Sequence, residues 1–136
     1  MSVQDLRAAL ETRLDSLSPA IATAWQNVPF AVPSDPATPY QRVTLMLADP
    51  NNPEIGRGYQ EIGYLQVDLF YPRGAGSGDA AVRASSIRSL FDKGTSLVAG
   101  GAVVQVDHTP SIGGGLVDED RWRVPVKIRF FSNNFG

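Results

Sequence analysis

Two long stretches of the chain alternate between apolar and polar side chains, and this pattern constrains the fold more than any other feature of the sequence. From Tyr59 to Tyr71 and from Arg121 to Phe131 the side chains repeat with a period of two, which is the period of a β-strand. A strand of this kind needs a hydrophobic core on one side and water or a polar partner on the other. In the second stretch the predicted core face carries Trp122, Val124, Val126, Ile128 and Phe130, and the outer face carries Arg121, Arg123, Lys127 and Arg129.

Two other segments carry the period of a helix. Leucines from Leu6 to Leu17 recur at spacings of four, four and three, which predicts a helix over residues 3–17 that ends before Pro19. A second helix is predicted over residues 79–92, because Gly94 supplies a stop after an amphipathic run. Its buried stripe is expected to be Ala80, Ala84, Ile87 and Phe91.

The remaining segments complete a prediction of the fold class. Further strands are expected over residues 20–26, 41–48 and 101–108, while the four prolines of residues 29–39 indicate an extended loop and residues 110–115 a turn region. The strand over 41–48 and the strand that starts at Tyr59 are expected to form a long hairpin. This order predicts one α+β domain over residues 1–136, with a mixed, mainly antiparallel sheet of four to five strands and two helices packed on one face.

Composition excludes several classes of protein. The chain of 136 residues has a net charge of −2, and its ten arginines and two lysines are interspersed with acidic residues, so no basic stripe indicates DNA binding. It has no cysteine, which excludes disulfides and thiolate metal sites. No apolar run approaches the roughly 20 residues that span a bilayer, and the first residues lack the apolar core of a signal peptide. We therefore expect neither a membrane protein nor an exported one.

No pattern of residues predicts an active site. The glycine-rich stretch Gly74–Gly78 lies where phosphate loops occur, but it lacks the Lys-Ser or Lys-Thr pair of such loops, and a flexible connector is the better interpretation. His108 is the only histidine and no Gly-x-Ser-x-Gly motif is present. Asp118, Glu119 and Asp120 lack the spacing of a calcium loop. We expect no catalytic, cofactor-binding or metal-binding residue, although a ligand-binding module using Gly74–Gly78 stays an alternative.

Several aromatic residues do not all fit the predicted core faces, and aromatic side chains are favoured at protein interfaces. Together with the basic side chains of the last strand they are the candidate residues for contact with another subunit or with a partner protein. Reversing the charge of those basic residues is expected to alter assembly more than folding. The candidate residues are Phe30, Tyr40, Tyr59, Phe70, Arg123, Lys127, Arg129 and Phe131.

Motifs that cover nearly the whole chain point to one family when they are read in order. They are Ala24–Phe30 (AWQNVPF), Pro39–Leu45 (PYQRVTL), Tyr64–Pro72 (YLQVDLFYP), the glycine-rich loop, Ile87–Gly94, Thr109–Gly113 (TPSIG) and Trp122–Val126 (WRVPV). In this order and spacing the chain resembles the tail terminator family of long-tailed bacteriophages, whose type is the lambda tail terminator.

The resemblance implies a structural virion protein with no cofactor. Such a protein forms a ring, a hexamer, that caps the tail tube, ends tube polymerisation and provides the surface that joins the head. The implied partners are further copies of the chain, the tail tube protein and a head-completion or neck protein, with DNA only passing through the ring lumen. The implied location is the head-proximal end of the virion tail, and the host cytoplasm during assembly. Another neck or head-completion protein of the same virion stays an alternative, since fold does not fix function.

Overall fold

The two alternating stretches form the centre of the sheet. In the computed structural model, which describes residues 3–52 and 58–134, they are the strands β3 (Tyr59–Pro72) and β8 (Arg121–Asn134). The two strands pair antiparallel over their whole length, from Tyr59 opposite Asn134 to Pro72 opposite Arg121. The other elements are α1 (Val3–Asp15), β1 (Ala22–Ala24), β2 (Tyr40–Leu47), α2 (Gly78–Leu90), β4 (Ser96–Ala99), β5 (Ala102–Val106), β6 (Ser111–Ile112) and β7 (Leu116–Asp118).

The sheet extends from this pair in both directions. On the outer side of β3 lies β2, antiparallel in the predicted hairpin, and β1 follows it in parallel. On the other side, β8 pairs in succession with the short strands β7, β6 and β5, and β4 pairs with β5. All of these pairings except β1 with β2 are antiparallel. The predicted mixed, mainly antiparallel α+β fold is confirmed.

The predicted number of strands is wrong, because the described residues form a sheet of eight. The strand β4 has four residues, while β6 and β7 have two and three. Such short strands lack a visible alternation of their own and are held by pairing with longer neighbours. The predicted turn region of residues 110–115 therefore contains the strand β6.

Both helices pack their predicted stripes into one hydrophobic core. From α1 the core takes Leu6, Leu10 and Leu14, and it takes all four predicted stripe residues of the second helix. The helix α2 contacts the central strands β3 and β8, whereas α1 packs mainly against β4 and β5. The packing of α1 thus differs from the predicted one, because the strand β4, which forms a hairpin with β5 under this helix, is not visible in the sequence pattern.

The first helix ends two residues before the predicted end. The backbone amides of Ser16 and Leu17 donate to the carbonyls of Arg13 and Leu14, three residues back, at 3.2 and 3.1 Å. Bonds of this spacing tighten the last turn of a helix. None of the helices in the described part of the chain is long and apolar enough to cross a membrane.

Candidate interaction surface

The face of the sheet that points away from the helices is partly covered by the proline-rich loop. Arg121 lies on this outer face, as the alternation predicts, but its side chain is only 3% exposed. Its guanidinium group donates to the carbonyl of Pro33 at 3.0 Å, to that of Asp35 at 3.2 Å and to that of Thr38. The alternation requires water or a polar partner on this face, and for Arg121 the partner is the backbone of residues 29–39, which fold over it.

Where this loop meets the sheet, three aromatic rings lie in contact. The rings of Tyr40 and Phe70 are stacked, with their centroids 4.6 Å apart and their planes 6° from parallel, and Phe30 lies 5.6 Å from Tyr40 at a tilt. The guanidinium group of Arg121 lies 5.1 Å from the centre of the Tyr40 ring. Tyr40 and Phe70 are only 5% and 2% exposed, although they lie on the outer face of the sheet and not on the predicted core face. Their rings contact other parts of the same chain.

Arg123 is also held within the chain. It donates to the carboxylate of Asp68 at 3.2 Å, and Asp68 is 4% exposed and accepts a second bond from Gln66 at 2.9 Å. Breaking a buried ion pair on one side is strongly destabilising, since the remaining charge is left without compensation. Charge reversal of Arg123 is therefore expected to damage folding, which contradicts the sequence-based prediction for this residue.

At the other end of β8 the outer face is open and basic. Lys127 and Arg129 are exposed there, as predicted, and Lys127 Nζ lies 5.2 Å from the centre of the Tyr64 ring. These residues line a shallow cavity of about 460 Å³, which we call the basic groove. The basic groove is lined by Ala48, Ile62, Gly63, Tyr64, His108, Thr109, Ser111, Lys127 and Arg129.

The strand register explains why Tyr64 and Arg129 meet at the basic groove, with Met46 next to them in the same row. Met46 pairs with Tyr64 across β2 and β3, and Tyr64 pairs with Arg129 across β3 and β8, so the three side chains form one row on the outer face. Sequence reasoning missed Tyr64 and His108 as members of this surface. The alternation of β3 places Tyr64 on its outer face, but only the register shows that it lies beside Arg129.

The eight candidate interface residues do not form one patch. Phe131 is half-buried and pairs with Ile62, which places it on the outer face near the basic groove. Tyr59 has the opposite parity along β3 and lies on the other face of the sheet. The structure therefore separates three groups. Phe30, Tyr40, Phe70 and Arg123 are covered within the chain at one end of the outer face, Lys127, Arg129 and Phe131 lie at its basic end, and Tyr59 lies on the opposite face of the sheet.

The histidine at position 108 contacts the acidic residue next to it in the sequence. His108 Nδ1 is 3.2 Å from the carboxylate of Asp107, with its side chain more than half exposed. In residues 3–52 and 58–134 no group of three histidine, cysteine or acidic side chains could hold a metal ion. Gly74 and Gly76 have φ values of 82° and 84°, a conformation that glycine adopts readily, which fits a turn between β3 and α2.

A second buried cation links the helix α2 to the sheet edge. Arg83 is 5% exposed and donates to the carbonyl of Pro19 and to the side chain of Gln41, the latter at 3.3 Å. Burial lowers the pKa of the Arg83 guanidinium. Burial likewise raises the pKa of the Tyr71 hydroxyl, against the opposing effect of Arg83 and with a smaller contribution from Asp79. These contacts attach the helix α2 to β2 and to the segment before β1.

A sequence model of one family, described as phage tail terminator protein, matches residues 5–130, from the first turn of α1 almost to the end of β8. The chain belongs to the phage tail terminator family. One solved structure is 30% identical to it, with a TM-score of 0.80, and the match covers 100% of this chain and 98% of the other. No curated protein matches the sequence. The tail terminator family is structural, so the protein is a component of the phage tail and not an enzyme, as the sequence predicted.

Proposed function

We propose that the protein forms a ring, a hexamer built from single-domain subunits, that caps the tail tube. The ring ends tube polymerisation and provides the surface to which the head joins. Membership of the tail terminator family is the observation that carries this proposal. The partners are then further copies of the chain, the tail tube protein and a head-completion or neck protein, and DNA only passes through the lumen. The ring assembles in the host cytoplasm and stays at the head-proximal end of the tail.

The distribution of exposed side chains supports assembly into a ring. A closed ring of identical subunits needs two different surfaces on each subunit that fit each other. Exposed apolar side chains lie at separate places on the sheet: Val98 on the β4–β5 hairpin is 71% exposed, Leu116 on β7 is 47% exposed and Met46 on β2 is 38% exposed. Because exposed apolar groups gain from burial against a partner, these places are suited to contact between subunits.

The test is growth of tail tubes in the presence of the protein. Purified tube protein is polymerised with and without the chain, and tube lengths and ends are measured by electron microscopy. We expect shorter tubes with a ring at one end, and heat-unfolded protein serves as the control. Tubes of unchanged length without rings would refute the proposal. Binding to the head connector with no effect on tube length would favour the neck-protein alternative.

A further inference from the structure

We infer that the acidic turn of one copy, Asp118–Asp120, docks in the basic groove of the next copy. The inference rests on the proposed function, since it assigns the two surfaces that a head-to-tail ring requires. It names a second copy of this chain as the occupant of the basic groove. Each copy of the chain carries both surfaces, the acidic turn and the basic groove.

The groove offers positive charge beside an apolar wall. Lys127 and Arg129 are exposed at its rim, while Ala48, Ile62 and the backbone of Gly63 line its side. Arg129 lies 3.8 Å from Asp107, but no ion pair of Lys127 occurs within the described residues. A volume of about 460 Å³ is in the range of sites that hold a few side chains. Such a groove favours an acidic segment with a small apolar neighbour.

The turn between β7 and β8 offers both an acidic segment and an apolar neighbour. Glu119 is exposed, and its backbone carbonyl accepts a bond from Arg73 at 3.2 Å, which fixes a turn in which Glu119 has a φ of 57°. Asp120 keeps 65% of its side chain exposed. Leu116, two residues before the turn residue Asp118, is 47% exposed. An acidic tip with an apolar neighbour therefore projects from the end of the sheet.

Of the four arginines near the turn, Arg121 and Arg123 are held within the chain, whereas Arg42 and Arg73 are exposed beside it. Arg121 is buried against the proline-rich loop, although its Nε lies 3.9 Å from Asp120. Arg123 is shared between Asp68 at 3.2 Å and Asp118 at 3.8 Å. The carboxylates of Glu119 and Asp120 thus face solvent while these two arginines are engaged within the chain. Complementary charge of this kind steers the encounter of partners and fixes their register.

The turn cannot reach the groove of its own chain. The turn joins the start of β8 at Arg121, and the groove lies at Lys127 and Arg129 on the same strand. At about 3.3 Å per residue, positions 121 and 129 are about 26 Å apart. A contact between the two surfaces must therefore form between different copies. Since the two surfaces differ, the contact is head-to-tail and closes into a ring when the rotation allows.

The experiment reverses the charges of each surface separately. One variant carries Glu119→Lys and Asp120→Lys, and the other carries Lys127→Glu and Arg129→Glu. A control variant with Asp15→Lys and Lys93→Glu changes two exposed charges that lie outside both surfaces. Circular dichroism checks that each variant is folded, and Lys127→Gln with Arg129→Gln replaces the groove variant if charge reversal disturbs its fold. Rings are measured by light scattering and by electron microscopy on tail tubes.

We expect each surface variant alone to form rings at least about tenfold more weakly than the wild type, since like charges now face each other. Mixing the two reversed variants should restore rings of alternating copies, because every turn then meets a groove of opposite charge. The control should assemble like the wild type. The inference is overturned if either surface variant assembles like the wild type. It is also overturned if both variants block assembly alone but do not restore it when they are mixed. A wild-type chain that forms no rings would instead refute the proposed function.

Discussion

Replacing Arg121 by alanine is expected to release the proline-rich loop from the sheet. The side chain of Arg121 bonds to three carbonyls of this loop and lies over the Tyr40 ring. The loop has no strand pairing among the described residues, and most of its residues are exposed. Its attachment to the outer face of the sheet therefore depends on this one guanidinium group and on the contact between Phe30 and Tyr40.

The magnitude follows from the bonds that are lost. A net hydrogen bond contributes about 0.5–1.5 kcal/mol, and we take about 0.7 kcal/mol for each of the three because water can replace the donor at exposed carbonyls. The cation–π contact adds about 1 kcal/mol. The Arg121→Ala variant should thus lose about 3 kcal/mol of unfolding free energy. For a chain of this size that loss lowers the melting temperature by about 10 °C.

Thermal unfolding and hydrogen exchange measure the two parts of this prediction. The amides of Ala37 and Thr38 are bonded to Asp35 within the loop, and their exchange should accelerate in Arg121→Ala. Lysine at position 121 should recover less than half of the loss, because a single ammonium cannot bond in the planar fork of arginine. Arg42→Ala is the matched control, since Arg42 is exposed on the same face and lies 5.3 Å from the Phe70 ring. Equal melting temperatures and equal loop exchange in the two alanine variants would refute the reasoning.

Three further predictions concern the core. Gly63→Ala should lose about 1–3 kcal/mol of unfolding free energy in denaturant unfolding, because its new Cβ would clash with the Met46 carbonyl. The control Gly114→Ala should change little, because a Cβ at Gly114 faces open space. Equal losses in the two variants would contradict this prediction. Phe91→Ala, at a side chain that is 0% exposed, should lose about 3–5 kcal/mol in the same assay, and a loss near zero would argue against its burial. Because burial raises the pKa of the Tyr71 hydroxyl, the unfolded chain ionises first as pH rises, so stability falls above about pH 10. Tyr71→Phe should flatten that fall in unfolding measured against pH, and an identical pH profile would count against the assignment.

The parts of the fold that sequence predicts are those with a strong local period. The strands β3 and β8 and the stripe of α2 from Ala80 to Phe91 each repeat over many residues, so their burial follows from neighbours in the sequence. The strand β4 has four residues, and its pairing depends on β5 rather than on its own pattern. Short strands of this kind are set by tertiary context, which a single sequence does not contain.

On the outer face of the sheet, too, some features follow from the local sequence pattern and others depend on distant contacts. Exposure of Lys127 and Arg129 follows from alternation alone, whereas the burial of Arg121 depends on carbonyls 83 to 88 residues away in the sequence. Nothing near Arg121 in the sequence indicates that the proline-rich loop folds over it. The basic groove likewise requires the register of β3 and β8, which brings Tyr64 beside Arg129.

The central position of β8 has a consequence for synthesis of the protein. Although β8 follows the other seven described strands in the sequence, it lies between β3 on one side and β5, β6 and β7 on the other. The ribosome therefore releases these four strands before their common partner exists. Since long-range pairing is slow and uncovered strands tend to aggregate, the nascent chain needs protection until Asn134 has emerged. A premature stop codon before Arg121 would remove the centre of the sheet and not merely its edge.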